Sequence, residues 1–333
     1  MAQLMERIRR APQAPFHTRT AEQARAAYER AAEVLDLPRR PMARVEDIRL
    51  ARRDGGQTPA RLYSMAPAPP ASAGSDTDLN RPQAQAPQAL SPALLYLHGG
   101  GFTIGSLETH DSLCRQLAAR AGIMVVALDY RLAPEHRFPV AVEDAFDGLC
   151  ALGREGPRWG IDPARLAVGG DSAGGTLAAV AAIMARDAGL PLSLQLLITP
   201  GTTAHADTDS HRRYGRGYLL DAQTIEWFFS HYIDRAQRED WRFAPLMAES
   251  LDGVAPAAVL LAECDPLVDE GLAYADRLRM AGVPVELELV RGVVHDFIKM
   301  GRALKEAHAA QDWCAQHLRS ALALSVGGTG ALG

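Results

Sequence analysis

Gly170-Asp171-Ser172-Ala173-Gly174 decides the fold. Arg165-Leu166-Ala167-Val168 before it is a short apolar run that ends in glycines, and Ala173 to Ala188 after it is Ala-rich and predicts a helix. A serine between a strand and a helix is held in strained backbone with its hydroxyl exposed. Glycines two before and two after are required because a Cβ there would collide with a neighbouring strand or helix. A second motif lies upstream: His98-Gly99-Gly100-Gly101 directly follows the apolar run Ala93-Leu94-Leu95-Tyr96-Leu97. A serine nucleophile needs donors for the anionic oxygen of its tetrahedral intermediate, and a glycine run brings backbone N–H groups close enough to serve.

From residue 93 onward, apolar strand runs alternate with helical patterns. The strands are Ala93–Leu97, Ile123–Leu128, Leu166–Val168, Leu194–Ile198, Ala258–Ala262 and Val285–Val290; helices are expected over 109–121, 139–153, 173–188 and 268–281. This alternation predicts an α/β fold, a mostly parallel sheet with helices on both faces. Val45–Arg52 and Pro59–Met65, separated by Asp54-Gly55-Gly56, read as an antiparallel hairpin at its edge and bring the sheet to eight strands. Residues 1–45 read as helical, with Pro38 and Pro41 ending the helix. Residues 66–92 hold six of the 21 prolines and no aromatic residue, and read as a flexible insertion. Residues 201–256 are too long for a simple crossover. Within them, 214–243 carry eight of the 20 aromatics, either a helix packing its own apolar face or a lid over substrate.

In an open α/β sheet, reactive groups collect at the carboxyl ends of the strands. The glycine run and Ser172 satisfy that rule, Asp265 ends the strand 257–264, and His295 falls in a loop five residues after the last strand. Ser, Asp, His is also the chain order of the α/β-hydrolase fold. Ser172 is expected as nucleophile, His295 as its base, and Asp265 as the group that orients the imidazole. The N–H groups of Gly100, Gly101 and Ala173, with Gly99 as a substitute, are expected to form the oxyanion hole. Phe102, Tyr218, Trp227 and Phe228 are expected to touch substrate. Asp269 and Glu270 rival Asp265 but lie inside the next helix. Asp171 reads as a loop residue bonding backbone, and Asp129 with Arg131 as a structural charge pair.

Composition excludes several classes. The 333 residues are 47% hydrophobic and 23% charged with a net charge of −5, which makes no case for nucleic acid or an anionic membrane. No signal peptide or membrane-length apolar run is visible, so a cytoplasmic location follows by default. The four cysteines lack metal-ligand spacing, and no HExxH, phosphate loop or dinucleotide fingerprint appears; neither metal nor organic cofactor is expected. The last strand reads as a possible sheet edge, through which a homodimer could form.

His98-Gly-Gly-Gly-Phe-Thr-Ile-Gly-Ser106, Asp129-Tyr-Arg-Leu-Ala-Pro-Glu135, Gly170-Asp-Ser-Ala-Gly-Gly175 and Asp265-Pro-Leu267 together resemble the hormone-sensitive-lipase-like esterases (bacterial family IV lipolytic enzymes) of the α/β-hydrolase superfamily. The resemblance runs from about 16 to 322. It implies a helical cap, here 1–45 and 201–240, on a core of 46–200 and 241–322, with 323–333 a flexible tail. It also implies hydrolysis of short- to medium-chain carboxylic esters, with amides or carbamates as an alternative open to the same residues. A non-catalytic small-molecule receptor is a third reading, opposed by the intact Ser172, Asp265 and His295. The chain departs from the family's usual pattern at His295-Asp296-Phe297, where glycine usually follows the histidine, and at Thr199-Pro200, where tyrosine often precedes the proline.

Overall fold

The structure, a computed structural model, describes residues 4–6, 10, 14–68 and 89–323. Most of the 66–92 segment and nearly all of the expected tail lie outside them. The strands are β1 (Arg44–Ala51), β2 (Gln57–Ser64), β3 (Ser91–Leu97), β4 (Met124–Leu128), β5 (Ile161–Asp171), β6 (Leu194–Ile198), β7 (Ala257–Cys264) and β8 (Val285–Val294). They form one eight-stranded sheet in the order β1-β2-β4-β3-β5-β6-β7-β8. β1 and β2 pair antiparallel, as do β2 and β4, and every other pair is parallel. The α/β-hydrolase architecture expected from the sequence is the one observed, and the hairpin forms its edge.

The helices are α1 (Ala21–Leu35), α2 (Asp111–Ala121), α3 (Val140–Glu155), α4 (Ala173–Asp187), α5 (Asp209–Tyr214), α6 (Ala222–Tyr232), α7 (Val268–Met280) and α8 (Lys305–Leu322). Side chains along a strand alternate faces, so β3 feeds two cores. Leu95 and Leu97 pack with residues of α3, α4 and α7, whereas Leu94 and Tyr96 pack with residues of α2 and α8. The sheet is thus covered on both faces, which is what lets its central strands be apolar throughout.

Three boundaries differ from the sequence reading. Residues 1–45 are not helical throughout: residues 4–6 and 10 have helical backbone, and the helix Ala21–Leu35 is opened by Thr20 and Gln23 in a reciprocal capping box. Pro38 and Pro41 hold the chain extended from there, and β1 begins at Arg44. β5 starts at Ile161, before the apolar run, because its first residues pair with Ser91 across a register shift. β8 runs on to Val294, since Gly292 at φ +69° lets the strand bend and re-pair Val294 with Cys264. His295 therefore follows its strand directly.

The carboxyl ends of β3, β5, β7 and β8 lie along one edge of the sheet. Residues 14–35 and 219–229 line a cavity over that edge.

Candidate active site

Ser172 sits at the β5–α4 junction with φ +54° and ψ −122°, a conformation L-residues avoid. The turn is possible because Gly170 and Gly174 are bare: a Cβ on either would run into the Leu97 carbonyl at the end of β3. The distortion lifts the hydroxyl clear of the sheet, and Ser172 Oγ lies 2.9 Å from His295 Nε2. His295 Nδ1 lies 2.6 Å from Asp265 Oδ2. The other Asp265 oxygen accepts the Leu267 N–H at 2.9 Å, which fixes the carboxylate plane. Asp265 and His295 are buried, 1% and 5% exposed, so their attraction is little screened by water.

Burial alone would depress the His295 pKa. The charge of Asp265 and its hydrogen bond, then the charges of Asp296 and Asp171, override it and raise the pKa to about 9. Asp296 occupies the left-handed region at φ +61°, where glycine and aspartate are both tolerated. Its Oδ1 is 3.8 Å from His295 Nε2.

The rivals to Asp265 are occupied elsewhere. Asp269 Oδ2 accepts the Ser210 N–H at 2.7 Å. Glu270 accepts the Thr202 N–H at 3.2 Å and the Thr203 hydroxyl, and burial raises its pKa to about 8. Arg131 does not pair with Asp129; it turns to Asp144 on α3, which accepts from Arg131 Nε, Nη2 and the backbone N–H. Asp171 is a buried hub rather than a simple loop residue. Its carboxylate accepts the Tyr96 hydroxyl at 2.6 Å and the Gly99 N–H at 3.1 Å, and lies 3.1 Å from His110 Nε2.

That contact separates Gly99 from the other glycines, because its N–H is directed to Asp171 and is not free for an oxyanion. The N–H groups of Gly100 and Gly101 bond to no acceptor among the described residues. Ala173 opens α4, where N–H groups have no intrahelical partner. Gly100, Gly101 and Phe102 all take positive φ, +123°, +56° and +61°. Gly101 is obligatory, since a Cβ would enter the Phe228 ring.

The cavity above Ser172 measures about 520 Å³, within the usual span of small-molecule sites. Of the four expected contacts, Phe102 and Phe228 line it and Trp227 and Tyr218 do not. Trp227 is one residue, about 100° of helix, from Phe228, and its ring packs on His231 at 4.3 Å. Tyr218 packs edge-on against Tyr214. Sequence reasoning does not reach Tyr28 and Lys299, which also line the cavity, and it reads Glu270 only as a rival to Asp265, not as part of the wall. For Lys299 a signal existed: it is one of two lysines in the chain and lies four residues past His295.

A family described by the α/β-hydrolase fold matches residues 94–299, more than half of the chain. The chain belongs to that family. Within it, the branch is that of the hormone-sensitive-lipase-like esterases. An ethyl acetate hydrolase of Pseudomonas putida is 43% identical over 297 residues, 88% of this chain and 88% of that protein. An arylesterase of Saccharolobus solfataricus is 38% identical over 215 residues, 64% of this chain and 70% of that protein. A solved hyperthermophilic esterase from Pyrobaculum calidifontis superposes with a TM-score of 0.84 at 35% identity, covering 96% of each chain. Among the described residues of this family member, no helix is long and apolar enough to cross a membrane.

Proposed function

We propose that Ser172, His295 and Asp265 form the catalytic triad of this enzyme. The protein is a carboxylic ester hydrolase of the hormone-sensitive-lipase-like family. The observation that carries the residue assignment is the unbroken hydrogen-bonded line from Ser172 Oγ through His295 to Asp265, 2.9 and 2.6 Å, opening into an apolar cavity.

Ser172 Oγ attacks the ester carbonyl carbon while His295 Nε2 takes the hydroxyl proton. The carbonyl oxygen becomes an anion, received by the N–H groups of Gly100, Gly101 and Ala173, with the positive end of the α4 dipole behind it. As the oxyanion collapses to re-form the carbonyl, the single bond from that carbon to the alkoxy oxygen breaks, His295 gives its proton to that oxygen, and the alcohol leaves. Water then repeats the sequence on the acyl-enzyme, releasing the acid. Asp265 holds the imidazole tautomer and stabilises its charged form.

The cavity suits a short to medium acyl chain against Phe102, Phe228 and Phe243. The segments 14–35 and 201–240 act as the cap. We place the enzyme in the cytoplasm, which its four unpaired cysteines support. The open side of β8 supports self-pairing of two copies, a doubling of mass in sedimentation.

The test is covalent. A fluorophosphonate probe should add its mass to the peptide bearing Ser172, and Ser172→Ala should remove that adduct with nearly all turnover of p-nitrophenyl butyrate. In another serine hydrolase such a loss reaches about 10⁶ in kcat. Folded Ser172→Ala that keeps more than a few per cent of activity overturns the assignment.

A further inference from the structure

We propose that Arg25, on the covering helix α1, is a positioning residue that sets the oxyanion hole; the inference rests on the reading of the site given above. The loop carrying the Gly100 and Gly101 donors has three successive residues at positive φ, one of them Phe102, which has a Cβ. Such a backbone persists only where surrounding structure over-determines it. Within the loop, the N–H groups of Thr103 and Ile104 both close on the Gly100 carbonyl, at 3.1 and 2.9 Å. The Phe102 carbonyl accepts the Ala133 N–H at 2.9 Å. The Thr103 hydroxyl donates to the Gly101 carbonyl at 3.1 Å, and the Phe102 ring stacks on Tyr232 at 4.1 Å. A further constraint comes from the covering helix.

Arg25 reaches across 78 residues of sequence to donate from Nε to the Thr103 carbonyl at 2.8 Å. Its Nη2 donates to the Ala133 carbonyl at 2.7 Å. Both terminal nitrogens meet the Glu135 carboxylate, at 2.9 and 2.5 Å. One planar cation thus joins α1, the far end of the oxyanion loop and the segment that holds Phe102. Only a guanidinium supplies donors in this forked geometry. One turn further along α1, Tyr28 Oη accepts from Lys299 Nζ at 2.8 Å. Lys299 Nζ lies 3.4 Å from His110 Nε2, which lies 3.1 Å from Asp171, the acceptor of the Gly99 N–H at the near end of the loop. Arg25 and Tyr28 are three residues apart, hence neighbours on one helix face. That face is connected to the loop at both ends, directly through Arg25 and indirectly through Tyr28. Seating of α1 and alignment of the hole are therefore one event.

Arg25→Met tests this. A purely structural arginine would alter the melting temperature and leave kcat per folded molecule intact. A positioning arginine lowers kcat about 10- to 100-fold, the effect of a small misplacement, with KM for p-nitrophenyl butyrate changed less than about 3-fold. The decisive readout is a butyl trifluoromethyl ketone. Ser172 Oγ adds to its carbonyl carbon, the serine proton passes to His295, and the new oxyanion occupies the hole. Its affinity falls in step with kcat, Arg25→Lys lies between Met and wild type, and the acidic limb of the kcat/KM profile stays in place because His295 is untouched. Unchanged kcat, a loss confined to KM, or a kcat loss without loss of ketone affinity each overturns the proposal. If Arg25→Met does not fold, Glu135→Gln, which keeps the guanidinium but weakens its brace, lowers kcat and ketone affinity together by a few fold, and no change in either refutes it. Failure of the triad assignment is separately visible as activity in Ser172→Ala.

Discussion

Asp296→Asn removes a charge beside the His295 imidazole, the proposed general base, and little else. At 3.8 Å from His295 Nε2, a unit charge contributes about 1 kcal/mol in bulk water and about 4 kcal/mol at an effective dielectric of about 20. The Asp296 side chain is 25% exposed, so screening places the value in the lower half of that span. At about 1.4 kcal/mol per unit, losing the charge lowers the imidazole pKa by about 1 to 2 units. The sign follows from the imidazolium, which the carboxylate stabilises. Without it His295 gives up its proton more readily, and the free base that activates Ser172 appears at lower pH. The acidic limb of kcat/KM, which reports the free enzyme, should move down by that amount. Initial rates with p-nitrophenyl butyrate, read at the isosbestic wavelength from acid to mild alkali, measure it. Asp296→Gly should move the limb in the same direction, since φ +61° suits glycine. An unmoved limb in the asparagine variant would show that the carboxylate does not act on the imidazole, and a limb displaced upward would refute the electrostatic argument altogether.

Asp265→Asn should cost about 10² to 10⁴ in kcat, the upper figure being that of a serine protease. Asp269→Asn, which only weakens a bond to the Ser210 N–H, should cost far less; comparable losses would reverse the assignment. Glu270 holds its proton to about pH 8 in the folded protein, so native stability associated with it is full below the unfolded pKa of about 4.3 and declines as pH rises toward 8. Glu270→Gln should melt no lower than wild type at pH 8 and lose that advantage at pH 4, and the opposite order on calorimetry would rule this out. β2 and the start of β3 end at the same side of the sheet with only β4 between them, a lateral gap of about 10 Å. Replacing 67–89 by about six Gly/Ser residues should leave the melting temperature and kcat within about two-fold, loop closure costing about 0.6 kcal/mol per doubling; a folded but inactive deletion would show that the segment serves the site.

The residues that the structure brings together around Ser172 are legible in the sequence because each has a local signature. The glycines around Ser172 mark a turn no other residue permits, and the placement of Asp265 and His295 after apolar strands follows from a rule about sheet edges. What the sequence hides is partnership across space. Arg131 lies two residues from Asp129 in the chain, yet Asp144 on α3 receives both its side chain and its backbone N–H. Gly99, Gly100 and Gly101 are the same letter, and only the buried Asp171 carboxylate tells the first from the others. Trp227 and Phe228 are adjacent aromatics, and only the helical phase of α6 decides which faces the cavity. No spacing rule joins Arg25 to Thr103.

The proposed catalytic groups come from strand ends, whereas much of the cavity wall comes from residues 14–35 and 219–229. On that proposal, reactivity and substrate choice reside in different stretches of chain. Changes at Val34 and Leu219, both exposed and both on the cavity wall, can retune which acyl chain enters without disturbing the sheet. Directed evolution that leaves Arg25 and Tyr28 in place has exposed wall positions such as these open to variation, so different esters can be reached from one unchanged reaction centre.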